Sequence, residues 1–343
     1  MIIVMQLEAT QAQIDAVAGA IREVGLDPLI LPGEDRVAIG IPAAIKPDQR
    51  ERLDSMLGSL EGINKISQTS RPYKLASIEF KRQRTQFEIK GVGFGPDQFT
   101  MIAGPCSIES YDQLDEAAHL VQSAGGKVLR GGAFKPRTSP YAFQGLQEEG
   151  LKLMKQVGDA RGLVTITEVM SGDLVPMVAE YTDILQIGAR SMQNFPLLVA
   201  AGRSGKPVFL KRGPGATVDE FLLAAEYVLN QGGSQVILCE RGILPLDRSY
   251  TRNTFDLAVV PVLKEYSHLP VFADPSHGTG VAKYVPPMAK AALVAGADGL
   301  MVEVHPNPRE ALSDGSQALT PDQFTALMAD LGKLAQAVGV KLA

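Results

Sequence analysis

Hydrophobic and polar positions change rhythm once along this chain. Up to residue 72, short alternating runs bracket two helical stretches. IIVMQL opens as a strand. Ile14, Val17, Ile21 and Val24 then fall on one helix face. Thr10 and Gln13 have the spacing of a capping box ahead of that helix, and Gly25 ends it. DPLILP and RVAIGIP read as strands, with Val37, Ile39 and Ile41 alternating. Pro47 suits the first turn of a second helix, whose apolar face is Leu53, Met56, Leu57 and Leu60. INKISQ closes the unit as a weaker strand. The order βαββαβ predicts a ferredoxin-like unit over residues 1–72.

Residues 73–98 read as a connector. EFKRQRTQFEIKG is charged and GVGFGPD is turn-rich, which suits a hairpin. Lys81, Arg82 and Arg84 form a short basic run, read as a solvated linker face. From residue 99 to 343, short apolar runs alternate with helical stretches such as YDQLDEAAHLVQSAG and VDEFLLAAEYVLNQGG. The runs are FTMIAG, KVLRGG, LVTITEV, ILQIGAR, PVFLKRG, QVILCERG, PVFADPSHG and GLMVEVH. Their near-continuous apolar character suits parallel strands covered on both faces. Eight such units predict a TIM (β/α)8 barrel, in the α/β class. A doubly wound open sheet is the competing architecture, but the dinucleotide glycine fingerprint is missing.

Composition narrows the function. The 343 residues carry a formal charge of −5, with no basic run long enough for nucleic acid. Two cysteines, Cys106 and Cys239, argue against a disulfide framework. Neither a leader-like segment nor a bilayer-length apolar run stands out, so the expectation is a soluble, cytoplasmic protein with no membrane partner.

Candidate chemistry lies after the strand-like runs. Cys106 in AGPCSIES, His277 in DPSHGTG, Glu303 in MVEVH and Asp314 in ALSDGSQAL each sit in a loop that follows such a run. Sulfur, nitrogen and two oxygens make a mixed set that first-row divalent metals can fill. Other strands end in charge: Arg130 with Lys135, Arg137, Thr138 and Ser139 beyond it, then Glu168, Arg190, Lys211 with Arg212, and Glu240 with Arg241. Asp274 precedes His277. In a barrel these converge on one mouth. So many cations suit a multiply charged anion such as a small phosphorylated acid. The plainer reading is that some pair with Glu168, Glu240 or Asp274.

At AGPCSIES, FKPRTSPYAFQG, GAR, LKRG, CERG, DPSHGTG and EVHPNPREALSDGSQ the chain resembles 3-deoxy-D-arabino-heptulosonate 7-phosphate (DAHP) synthases. The resemblance is to the short-barrel type I beta branch with an N-terminal ferredoxin-like regulatory domain, and it spans essentially the whole chain. It implies condensation of phosphoenolpyruvate with erythrose 4-phosphate, releasing phosphate, at the first step of the shikimate pathway. It implies Cys106, His277, Glu303 and Asp314 as ligands to a divalent ion: manganese, iron, cobalt or zinc. Arg130, Lys135, Glu168, Arg190, Lys211 and Arg241 would surround phosphoenolpyruvate and its water, and Arg137 and Thr138 would hold erythrose 4-phosphate. Lys135, Glu168, Lys211 and His277 are the candidate catalytic groups, with Glu168 or Lys211 shuttling the proton of the attacking water. The resemblance also implies feedback by tyrosine or phenylalanine through the N-terminal unit, and a homotetramer.

Plainer readings stand beside these. Cys239 suits packing, His119 and His268 structural roles, and His305 a supporting place beside Glu303. Asp314 in Ser-Asp-Gly-Ser can be a simple turn. The nearest rival activity is 3-deoxy-manno-octulosonate 8-phosphate synthesis from arabinose 5-phosphate, disfavoured by KPRTSPY and by the N-terminal unit. A Schiff-base aldolase built on Lys211 and an inert metabolite sensor are more distant rivals.

Overall fold

A computed structural model describes residues 1–33, 36–43, 45–67, 71–135, 139 and 141–342. They form two compact units: residues 1–83 with 266–268, and residues 84–265 with 269–343.

In the first unit, β1 (Ile2–Met5), α1 (Gln11–Glu23), β2 (Leu29–Pro32), β3 (Val37–Gly40), α2 (Pro47–Gly58) and β4 (Ile63–Ser67) follow the expected order. The sheet runs β2-β3-β1-β4 and is antiparallel, with Ile3 opposite both Ile39 and Ile66. This is the ferredoxin-like arrangement. The Thr10 hydroxyl accepts from Gln13 N at 3.3 Å, and Thr10 N donates back to the Gln13 amide at 2.9 Å. Ile14, Val17, Ile21, Leu53 and Leu57 are buried against Ile3, Met5 and Ile39.

Residues 73–83 belong to this unit and not to a free connector. Lys74 Nζ donates to the carbonyls of Ile41, Pro42 and Ala43 at 2.7, 3.2 and 2.9 Å. Tyr73, Leu75 and Phe80 are buried. Gly40 admits the Phe80 ring: a Cβ there would lie 2.5 Å from it.

The second unit opens with a hairpin, β5 (Phe87–Ile89) and β6 (Val92–Phe94). Eight parallel strands follow: β7 (Gln98–Gly104), β8 (Val128–Arg130), β9 (Val164–Glu168), β10 (Ile184–Ile187), β11 (Val208–Lys211), β12 (Val236–Glu240), β13 (Val271–Ala273) and β14 (Gly299–Glu303). Each pairs with the next, and β14 closes on β7 from Gly299 opposite Thr100 to Glu303 opposite Gly104. The fold is a closed (β/α)8 barrel. A short β15 (Lys341–Leu342) pairs with β7 outside the closure.

The hairpin is a plug. Val92 and Phe94 pack with Val128, Val164 and Ile184, the first residues of β8, β9 and β10. Phe94 stacks on Phe87 at 5.3 Å and on Phe272 at 6.2 Å between centroids. The Thr100 hydroxyl donates to Gly93 O at 2.6 Å. Cys239 lies buried in the same cluster, as a packing thiol would. Arg84, read from sequence as solvated, instead donates to Lys264 O and is partly buried. Emptying the plug is costly: Phe94→Ala should lower unfolding free energy by about 3–5 kcal/mol. Denaturant titration checks this, and a loss below ~1 kcal/mol would mean that Phe94 does not seal the barrel.

Candidate active site

Among the described residues, those expected at the mouth lie at or just beyond the C-terminal ends of their strands. Arg130, Glu168, Lys211 and Glu303 are the last residues of β8, β9, β11 and β14. Arg190 lies in a 3-10 turn after β10, Arg241 directly follows β12, and Lys135 lies beyond β8. Arg137 and Thr138 lie outside the described residues. Two placements differ from the loop expectation. Glu303 ends its strand, so barrel closure fixes its backbone. His277 sits on a one-turn helix, Pro275–Thr279, where Asp274 Oδ1 accepts from His277 N at 3.0 Å. A Pro-initiated turn capped by Asp aims the ring more firmly than a loop would.

The described residues bring three of the four expected ligands into one cluster. Atoms of Cys106, Glu303 and Asp314 lie within 4.8 Å of one another. His277 Nε2 lies 3.4 Å from Glu303 Oε1, at its edge. Ligands bound about 2.0–2.3 Å from one ion stand roughly 3–4.6 Å apart, so this donor set fits a divalent first-row metal. Asp314 adopts left-handed backbone, φ 47°, and Gly315 follows with no room for a side chain: a Cβ would lie 2.1 Å from Pro308 O. The Ser-Asp-Gly-Ser stretch, for which a simple turn is the plainer reading, thus sets this candidate ligand in a tightly folded loop.

The electrostatics agree with that fit. Burial, reinforced by Glu303, pushes the Cys106 thiol up to about 11, although Lys135 and Arg130 pull the other way. A metal supplies the positive charge that a buried thiolate needs. Lys135 Nζ stands 3.0 Å from Cys106 Sγ and 3.0 Å from Cys106 O. Burial lowers His277, leaving a neutral ring with a lone pair to give. Burial opposes ionisation of Glu303, yet His277, Arg130 and Lys135 outweigh it and bring the carboxyl down to about 2.

Some cations pair, as the plainer reading held, though with partners that sequence did not always name. Arg130 Nη1 meets Glu303 Oε1 at 2.6 Å. Lys211 Nζ meets Asp274 Oδ2 at 2.6 Å, and His277 Nδ1 lies 2.8 Å from that same oxygen. The histidine contact is close but poorly aligned as a hydrogen bond. Arg212 bridges Glu240 at 3.0 Å and Asp256 at 2.9 Å. Sequence reasoning missed Gln317 and Arg252. Gln317 donates to Glu303 Oε2 at 2.8 Å, while Arg252 donates to Gln317 Oε1 at 3.1 Å and faces Asp314 at 3.5 Å. Only the identity of Arg252 as another cation beyond β12 hinted at this.

Two features leave room for an anion. Arg130 Nε is buried with no hydrogen-bond partner among the described residues. Burial lowers Arg241 from its ordinary value, an effect that Asp274 offsets only in part and to which Arg252 adds. A buried guanidinium in that setting suits an anionic guest.

Glu168 is placed by a glycine. Its Oε1 occupies the space where a Cβ on Gly188 would lie, 2.0 Å away, and Gln186 Nε2 donates to its other oxygen at 3.4 Å. Gly188→Ala should therefore push the carboxylate aside with little loss of stability. Turnover should fall at least about tenfold if Glu168 handles a proton. Kinetics beside a thermal melt would check this; unchanged turnover would remove Glu168 from that role.

The remaining histidines are accounted for by structure. His119 approaches Ser123 and Arg161 at 3.5 Å. His268 Nε2 lies 2.7 Å from Leu75 O within the first unit. Buried His305 lies 3.6 Å from Glu109.

A closed (β/α)8 barrel with ionisable groups gathered at the C-terminal ends of its strands is an enzyme architecture. Residues 78–338 match the DAHP synthetase I family, and residues 1–69 match the DAHP synthase ferredoxin-like domain. A phospho-2-dehydro-3-deoxyheptonate aldolase of Thermotoga maritima is 45% identical over 342 residues, covering 100% of both chains. The crystal structure of a DAHP synthase from Thermotoga maritima matches with TM-score 0.79 and 44% identity, over 100% of this chain and 99% of that one. A 2-dehydro-3-deoxyphosphooctonate aldolase of Syntrophobacter fumaroxidans stands further off, 32% identical over 263 residues, 71% of this chain and 90% of its own. The chain belongs to the DAHP synthetase I family, and its enzymatic class is that of the 3-deoxy-7-phosphoheptulonate synthases. No helix among the described residues is long and apolar enough to cross a membrane.

Proposed function

We propose that this enzyme condenses phosphoenolpyruvate with erythrose 4-phosphate in a metal-dependent reaction, and that its N-terminal unit carries feedback by tyrosine or phenylalanine. The observation that carries the reading is the sulfur–oxygen cluster of Cys106, Glu303 and Asp314, edged by His277 and set beside the buried cations Arg130 and Lys211. Cys106, His277, Glu303 and Asp314 would hold the ion, which would supply Lewis-acid polarisation or orientation of the aldehyde. Mn, Fe, Co and Zn all suit the donor set.

The chain's own groups do the rest. Arg130, Lys135, Arg190, Lys211 and Arg241 hold the carboxylate and phosphate of phosphoenolpyruvate, with Arg130 Nε supplying a buried donor. C3 of the enol attacks the aldehyde carbon. Water adds at C2, and the phospho-hemiketal breaks its C–O bond to release inorganic phosphate. Glu168 or Lys211 moves the proton of that water. Fixed cations stabilise the developing charge without reorganising. Arg137 and Thr138 hold the sugar phosphate in this proposal. A Schiff base on Lys211 fits less well, because its Nζ is committed to Asp274 at 2.6 Å in a buried pair.

The test is phosphate release from phosphoenolpyruvate with erythrose 4-phosphate or arabinose 5-phosphate. Release with the four-carbon sugar alone supports the reading. Preference for arabinose 5-phosphate would move the chain to the eight-carbon reaction. For regulation, the ferredoxin-like domain match supports a regulatory role for the N-terminal unit, with an aromatic amino acid as the effector proposed. A chain lacking residues 1–83 should keep turnover and lose inhibition by tyrosine or phenylalanine; persistent inhibition would overturn that part. The assembly proposed is a homotetramer, checked by light scattering.

A further inference from the structure

We infer that Glu109, with Ser107 and Ser313, is a clasp that positions Asp314 opposite Cys106 and so completes the metal site. The inference rests on the metal-site reading above.

Two mouth loops must meet for the cluster to exist. The first follows β7 and carries Cys106. It continues the strand pairing past the barrel rim: Gly132 N donates to Cys106 O at 3.1 Å, and Ile108 N donates to Gly132 O at 3.1 Å. The second follows β14 and carries Asp314. Its two ends are pinned together, since His305 N donates to Leu319 O at 3.1 Å and Leu319 N to Glu303 O at 2.8 Å. Residues 306–318 are thus a closed loop whose base is fixed on β14. Gln317, whose N donates to Asp314 O at 3.1 Å and whose Nε2 donates to Glu303 Oε2 at 2.8 Å, holds the C-terminal side of Asp314 and leaves its N-terminal side to be held separately.

The clasp does this. Glu109 Oε1 accepts from Leu312 N at 2.9 Å and from the Ser107 hydroxyl at 3.1 Å. The Ser107 and Ser313 hydroxyls lie 2.6 Å apart. Because the Ser107 proton goes to Glu109, Ser313 must donate to Ser107. One carboxylate oxygen therefore grips residue 312 directly and residue 313 through a hydroxyl, immediately before Asp314. Ser107 and Ser313 are buried. Gln113 fixes the other side of the clasp: Glu109 N donates to its Oε1 at 3.3 Å, and its Nε2 donates to Ser107 O at 3.2 Å.

His305 completes the arrangement. Asn307 N donates to His305 Nδ1 at 3.0 Å, which leaves the proton of a neutral ring on Nε2. That buried nitrogen faces Glu109 Oε2 at 3.6 Å and has no hydrogen-bond partner among the described residues. The two oxygens of Glu109 thus address both ends of the second loop. None of these clasp groups belongs to the ligand cluster.

The experiment uses the full chain and Co2+ alone as probe, on metal-free protein. Affinity comes from titration, and the near-ultraviolet thiolate-to-cobalt band reports Cys106. Glu109→Ala should weaken Co2+ binding about 10–100-fold while keeping that band, as expected for groups that orient a ligand. Ser313→Ala should do the same, and Glu109→Gln, which keeps the acceptor, should recover most of the loss. In an Asp314→Ala background Glu109→Ala should add nothing, because its effect runs through Asp314. An equal loss in both backgrounds, or no loss, would overturn the clasp. Should Glu109→Ala fail to fold in a thermal melt, Ser313→Ala carries the same cycle and the same criterion. No Co2+ binding by the unsubstituted protein would overturn the metal reading itself and the clasp with it.

Discussion

Chelating the divalent ion is expected to stop phosphate release from phosphoenolpyruvate, and Cys106→Ala is expected to reproduce the loss in excess metal. Lewis-acid stabilisation of several kcal/mol corresponds to about a thousand-fold in rate or more. Cys106 is the informative candidate ligand because burial pushes its thiol up to about 11. An ion binds the thiolate, so below that pH each ion bound expels a proton from sulfur. Affinity should therefore rise about tenfold per pH unit between roughly pH 7 and 9 from this group alone. Cobalt titrations at three pH values, with proton release followed by indicator dye, would check the sign. Turnover that survives exhaustive chelation would overturn the metal-dependent reading, and borohydride trapping would then test Lys211.

The second large effect concerns Asp274. This carboxylate is fully enclosed, holds Lys211 at 2.6 Å, faces His277 Nδ1 at 2.8 Å and caps the helix that carries His277. Burial alone would raise it, but His277 and Lys211 bring it well below the usual carboxylate range. Asp274→Ala leaves the Lys211 ammonium buried and uncompensated. A loss of about 3–5 kcal/mol in unfolding free energy is expected. Adding Lys211→Met should recover part of that stability, because the stranded charge is gone, but not activity. Urea titration of both variants measures this. A double variant no more stable than Asp274→Ala would show that the pair is not the source of the cost.

The pH dependence follows the same sign. Asp274 and Glu303 are both lowered in the folded state, Glu303 to about 2. Their stabilisation is complete above their unfolded values and is lost as pH falls through the folded ones. Neither contributes a loss between pH 8 and 5, so acid destabilisation from this pair is confined below the ordinary carboxylate range.

Much of the molecule was legible as local pattern. The helix of Ile14, Val17 and Ile21, the capping box of Thr10 and Gln13, and the eight apolar runs are encoded within a few residues. Periodicity records which face is buried, and burial is what a helix or strand needs from its own sequence. The strand-end residues Arg130, Glu168, Lys211 and Glu303 followed from that reading, because a barrel gathers strand ends at one mouth. What tertiary structure alone decided are the pairings. Arg130 meets Glu303 across 173 positions, and Ser107 meets Ser313 across 206. The hairpin of Val92 and Phe94 becomes a plug because closure leaves an apolar end to fill. Asp274 joins a metal-ligand candidate to a substrate-binding candidate because β11 and β13 aim both at one interior. A residue's neighbours along the chain set its face; its partner is set by the register at which β14 closes on β7, and no local pattern contains that register.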